Sequence, residues 1–125
     1  MKENDLKERT KKFSVQIVKL ANDLPSNKIA NVLGRQLLRC GTSVGANYRS
    51  ACRAKSRADF IAKMAIVEEE ADEASYWLEL LVEVGVIKET MVVPLMREAN
   101  ELVAIAVSSI KTARNSAFKN LNFKM

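Results

Sequence analysis

Apolar residues recur along the chain at intervals of three and four, and no stretch alternates with a period of two, so the pattern predicts helices throughout. The most regular run is Phe60, Met64, Val67, Ala71, Ala74, Leu78 and Leu81, an unbroken 4-3-4-3-4-3 series that puts one stripe on a helix over 57–84. A first helix over 4–21 carries Leu6, Phe13, Ile17, Leu20 and, just beyond it, Leu24 on its apolar side. It ends in "NDLPSN", because Pro25 has no N–H to continue it. A second helix over 27–53, capped by Ser26 or Asn27, shows the stripe Ala30, Leu33, Leu37, Cys40, Val44, Asn47 and Ala51.

Ser56 is the expected cap of the third helix, with Asp59 three residues on where a capping-box acid sits, and Gly85 is its expected stop. The fourth helix, over 90–115, carries Val92, Leu95, Ala99, Leu102, Ala106 and Ala113, with Met96, Val103, Val107 and Ile110 widening the face. Pro94 is expected in its first turn, where a missing N–H matters least. Connections this short force neighbours antiparallel. The expected fold is all-α, an up-down-up-down antiparallel four-helix bundle forming one domain over 1–125, with 116–125 as a tail. A 13.9 kDa chain with 48% hydrophobic residues can bury such a core.

The second helix has a further stripe of small residues. Gly34, Leu38, Gly41, Gly45, Tyr48 and Cys52 lie about 100° from the core stripe. Three helical glycines each cost roughly 0.5–1 kcal/mol relative to alanine, which points to a groove for a closely approaching helix, either within the bundle or in another copy. On the side opposite the core lie two arginine pairs, Arg35 with Arg39 and Arg49 with Arg53. Corresponding members are about 21 Å apart, and Lys55 and Arg57 extend the line. Such a stripe is a solvated face, a face bridged to acidic partners on the third helix, or a surface for phosphates. Aromatic residues do not interleave with it apart from Tyr48, so base stacking is not expected.

Charge is segregated along the chain. Residues 1–57 hold thirteen Lys and Arg against four Asp and Glu, residues 58–101 hold three against eleven, and residues 102–125 hold four against none. The formal net charge is +5. The acidic run "VEEEADEASYWLELL" puts Glu69, Asp72, Glu73 and Tyr76 on one face, with Trp77 as a packing anchor on its flank. Clustered carboxylates can hold a divalent cation or do acid–base work, and they can equally meet arginines. The chain contains no histidine. That removes Ser-His and Cys-His nucleophile pairs, HExxH sites and histidine haem ligands, so no catalytic residue, metal site, cofactor or small-molecule substrate is expected. The two cysteines, Cys40 and Cys52, lie about 18 Å apart on one helix, too far for a disulfide. A charged start and the lack of any apolar run near 20 residues predict a cytoplasmic protein without a membrane partner.

The segment "LLRCGTSVGANYRSACRAKSRADFIAKMAIVEEEADEASYWLELL" (37–81) resembles the signature of the four-helix-bundle proteins encoded in 23S rRNA intervening sequences. Tyr48-Arg49-Ser50-Ala51 stands where many relatives carry an acidic residue, as in one subgroup. The resemblance implies a ring-like homopentamer with no established enzymatic activity. It also implies distant kinship with the accessory variability determinants of diversity-generating retroelements, which are pentameric, basic and bind nucleic acid. Two function classes lead, with an enzyme built on the acidic cluster of the third helix ranked last. One is an oligomeric scaffold that binds RNA, DNA or an RNA-handling partner through Arg35, Arg39, Arg49, Arg53, Lys55 and Arg57. The other is a self-assembling interaction protein whose interface would use Gly41, Gly45, Glu69, Asp72 and Glu73.

Overall fold

A computed structural model describes residues 3–116, with side chains from Asp5 onward. It contains α1 (Glu3–Asn22), α2 (Lys28–Cys52), α3 (Arg57–Glu83) and α4 (Glu89–Ser116), and no strand among the described residues. Most of the expected tail, 117–125, lies outside the described residues. The helices form an up-down-up-down bundle in which α1 packs on α2, α2 on α3 and α3 on α4, while α1 and α4 meet only sparsely.

Local chemistry sets each boundary. Asn27 caps α2, its Oδ1 accepting from the Ala30 N–H at 2.9 Å. Ser56 caps α3, its Oγ accepting from the Asp59 N–H at 3.0 Å. The Asp59 carboxylate reaches back one residue further than a capping box requires and accepts from the Lys55 N–H at 3.2 Å. It also accepts from Lys63 Nζ at 3.0 Å, and these two bonds, the lysine first, hold its pKa below the ordinary value. At the far end of α3, Gly85 takes φ +81°. The Val86 N–H then reaches the Leu81 carbonyl at 2.9 Å and the Gly85 N–H reaches that of Val82 at 3.0 Å. This is a Schellman motif, in which glycine alone avoids the left-handed penalty. Pro94 is the sixth residue of α4 and falls in its second turn rather than the first. The bond that residue 94 would give to the Thr90 carbonyl is therefore missing.

The core is the expected one, with informative exceptions. Phe13, Ile17, Leu37, Cys40, Val44, Met64, Val67, Ala71, Ala74, Leu78, Leu81, Val92 and Leu102 are all buried. On α2 the buried arc is rotated toward α1. Tyr48 is buried, whereas Asn47 is half-buried and gives its amide to the Ser43 carbonyl at 2.9 Å. On α4, Val107 is exposed. Thr10 is fully buried among apolar side chains, its hydroxyl donating to the Leu6 carbonyl at 2.9 Å, which removes the cost of burying it.

Cys40 and Cys52 both lie on α2 and are not joined in a disulfide. Burial, aided by the field of Glu73, pushes the Cys40 thiol up to about 12. Native Cys40 thus keeps its proton where the unfolded thiol, near 9.0, begins to lose it. This contribution to stability is complete below pH 9 and disappears as pH rises toward 12. A thiol reagent at pH 8 should modify half-buried Cys52 first and Cys40 only on unfolding. Equal rates at the two sites, measured by peptide mass spectrometry, would contradict the placement of Cys40.

Candidate nucleic-acid interface

The glycine stripe is occupied from within the chain. A Cβ added at Gly41 would lie 2.5–2.9 Å from Cγ2, Cγ1 and Cβ of Ile17. One at Gly45 would meet Ser14 Oγ at 2.9 Å and the Thr10 carbonyl oxygen at 3.2 Å. Ser14 stitches the two backbones, donating to the Gly41 carbonyl at 2.8 Å and accepting from the Gly45 N–H at 3.2 Å. Of the two possible uses of the groove, the seat for a neighbouring helix of the same chain is the one realised. Gly41 is buried under α1 and is not left open to another copy.

The arginine line divides. Arg39 is not free: it forms ion pairs with Glu73 and, at 3.4 Å, with Glu70 of α3. Glu73 also accepts from Trp77 Nε1 at 3.0 Å, so it is committed inside the chain rather than held out for a neighbour. Trp77 is half-buried, with Tyr76 edge-on to it at 5.0 Å. Glu69 and Asp72 are exposed and form no ion pair among the described residues. Arg35, Arg49, Arg53, Lys55 and Arg57 are likewise exposed. Their side chains have no carboxylate within ion-pair distance among the described residues. Arg53 forms the C-cap of α2, and Lys55 and Arg57 flank the start of α3, so these three crowd one corner of the bundle.

The structure adds two cations that helix-by-helix reading leaves out. The register that places Gly41 over Ile17 and Gly45 over Ser14 also carries Lys7 and Lys11 of α1 alongside Arg49 of α2. Between them lies a cleft of about 360 Å³ floored by Ser14, Thr42, Gly45 and Ala46, with Glu8 its one acidic neighbour. Spacing gave a signal, since Lys7, Lys11 and Ser14 fall on one stripe of α1. The link to α2 needed the pairing of the two helices.

Arg9 behaves differently. Its guanidinium clasps Glu98, with Nε at 2.6 Å and Nη2 at 2.9 Å, and also pairs with Glu101, joining α1 to α4 where packing is thin. The hydrogen bond to Glu98, opposed by burial, raises its already high pKa. Arg9, Arg39 and Lys63 are thus neutralised within the fold, whereas exposed cations without an ion pair among the described residues lie on α1 and α2 and also on α4, at Arg97, Lys111 and Arg114.

Among the described residues no three His, Cys, Asp or Glu side chains converge as a metal site, and no helix is long and apolar enough to cross a membrane. The carboxylates of α3 are spread along the helix rather than gathered around a point.

In class, the molecule is an antiparallel four-helix bundle with one basic helical layer. The chain belongs to the 23S rRNA-intervening sequence protein family, whose model matches residues 2–108. It is also similar to the crystal structure of a protein with unknown function from the S23 ribosomal protein family of Bacteroides thetaiotaomicron. That likeness has 41% identity and a TM-score of 0.83, covering 90% of this chain and 100% of the other. No curated protein matches the chain.

Proposed function

We propose that this chain is a non-enzymatic, homopentameric scaffold of the cytoplasm that binds RNA through its basic layer, with phosphates rather than bases as the recognised groups. The observation that carries this reading is the composition and exposure of α2. It holds Lys28, Arg35, Arg39 and Arg49 without a single carboxylate, and of its arginines only Arg39 is neutralised by the fold. Each phosphate met by such a side chain releases a counterion, so affinity falls steeply with salt while sequence preference stays slight. The five-fold count rests on the family resemblance alone, and the segregated charge supports only association between copies. Repetition of one basic surface around a ring would turn a weak contact into a multivalent one.

A second reading, a self-assembling scaffold with no nucleic-acid role, is favoured by one contact. Arg39 shows that α3 carboxylates can hold α2 arginines, and exposed Glu69 and Asp72 could do the same between copies.

One titration separates the two. Labelled hairpin RNA in 50 and 200 mM salt, with duplex DNA and heparin as comparisons, should bind and then weaken by about 10²–10³-fold if some five or six phosphates are neutralised. Light scattering should give a mass near five times the 13.9 kDa chain. An assembly that ignores RNA at 50 mM salt would favour the second reading, and a 13.9 kDa particle at micromolar concentration would remove the oligomer from both.

A further inference from the structure

Building on that RNA-binding reading, we propose that the cleft between α1 and α2, rimmed by Lys7, Lys11 and Arg49, is the seat of the RNA backbone and takes its phosphodiester groups. The two helices are in close contact. Glycine at 41 and 45 lets α1 settle onto α2, and the antiparallel register then sets two lysines from the second and third turns of α1 beside the last arginine of α2. Residues almost forty positions apart in the chain thereby form one cationic rim.

The rim sets three cations against one carboxylate, Glu8, and stays net positive. Lys7, Lys11 and Arg49 form no ion pair among the described residues, in contrast to Arg9, Arg39 and Lys63. The floor is small and neutral, and its hydroxyl protons are already spent. Ser14 donates to the Gly41 carbonyl, and Thr42 Oγ1 donates to the Leu38 carbonyl at 2.7 Å. A ligand therefore meets three mobile positive charges around a recess without fixed donors at its base. That arrangement suits a delocalised anion on a flexible strand and gives no reading of base edges. A cleft of about 360 Å³ admits backbone phosphates but gives a base no aromatic partner, since its lining contains none. From Arg49 the same side of α2 leads to Arg35, about 21 Å away, as a second landing point for a continuing strand.

Ala46 is the place to test this, because it is exposed, lies on the cleft floor and tolerates a longer helical side chain. In the full-length chain, Ala46→Glu should weaken binding of labelled hairpin RNA at 50 mM salt by about tenfold or more, by opposing the phosphates at close range. Ala46→Gln, which fills the same space without charge, should cost under about threefold, and so should Ala104→Glu on exposed α4. Lys11→Glu gives an independent variant at an exposed position of the rim and should follow Ala46→Glu. Helicity and light-scattering mass should be those of the wild type in every case. Equal affinities for Ala46→Glu and Ala46→Gln, with Arg35→Glu or Arg53→Glu still weakening binding, would overturn the cleft while leaving the RNA-binding reading intact. Failure of the wild type to bind RNA would overturn both. Loss of RNA affinity only together with loss of assembly would overturn the cleft as an RNA seat and make this face a contact between copies.

Discussion

Gly41→Val should destabilise the protein by about 3 kcal/mol or more, enough to free α1 from the bundle in a fold of ordinary stability. The position already places an imaginary Cβ within 2.9 Å of three Ile17 carbons, and Ile17 is itself fully buried. A β-branched side chain there cannot turn aside, because both it and Ile17 are stiff at χ1. The helices must part, which would also pull Ser14 from the Gly41 carbonyl. Gly34→Ala provides the contrast. Its Cβ would meet only Cδ1 of Leu24, the free end of a half-buried side chain. Stability there should hold or rise by up to about 1 kcal/mol, from helix propensity alone. Urea unfolding of the two variants should thus move in different directions. A Gly41→Val protein as stable as the wild type would show that α1 does not seat on α2 at this glycine.

Val67→Asp should cost roughly 4 kcal/mol or more and abolish cooperative unfolding at ordinary temperatures. Val67 is the third residue of the seven-residue apolar stripe of α3, only 2% exposed. A carboxylate there either stays charged without a partner or takes up a proton, and both alternatives oppose folding. Val67→Ala removes only methyl groups and should cost about 2 kcal/mol. Circular dichroism and a thermal scan give the answer. Unchanged helicity and melting temperature for Val67→Asp would mean that α3 presents a different face to the core.

The features legible in the linear pattern were those decided within one helix. The stripe of α3, the Ser56 cap and the Gly85 stop depend on spacing and on local backbone chemistry, and each is realised in the fold, the stripe being buried from Met64 to Leu81 with Phe60 half-buried at its end. Where two helices compete for one residue, the pattern was less informative. Asn47 and Tyr48 are adjacent and both border the apolar arc of α2. The rotation of that arc toward α1, set by the glycines, buries the tyrosine instead. Pro94 was misplaced by simple helix geometry rather than by the start of α4, since a start at Glu89 or Thr90 makes it the sixth or fifth residue, past a first turn of about 3.6 residues.

The candidate site shows the same limit more sharply. Arg35, Arg39, Arg49 and Arg53 share a side of α2 by periodicity, but periodicity does not say which of them meets a carboxylate. Only the α2–α3 register removes Arg39 from the free set, and only the α1–α2 register adds Lys7 and Lys11. Gly41 and Gly45 carried the missing information, because the groove they form selects its partner through Ile17 and Ser14.

The most direct measurement is RNA affinity together with assembly mass for the double variant Arg49→Glu, Arg53→Glu. Both side chains are exposed and lack an ion-pair partner among the described residues, so the fold does not depend on them. The variant should keep its helicity and mass, lose RNA affinity by about a hundredfold at 50 mM salt, and show a shallower dependence on salt. Retained mass with unchanged RNA affinity would contradict the basic layer of α2 as the RNA-binding surface.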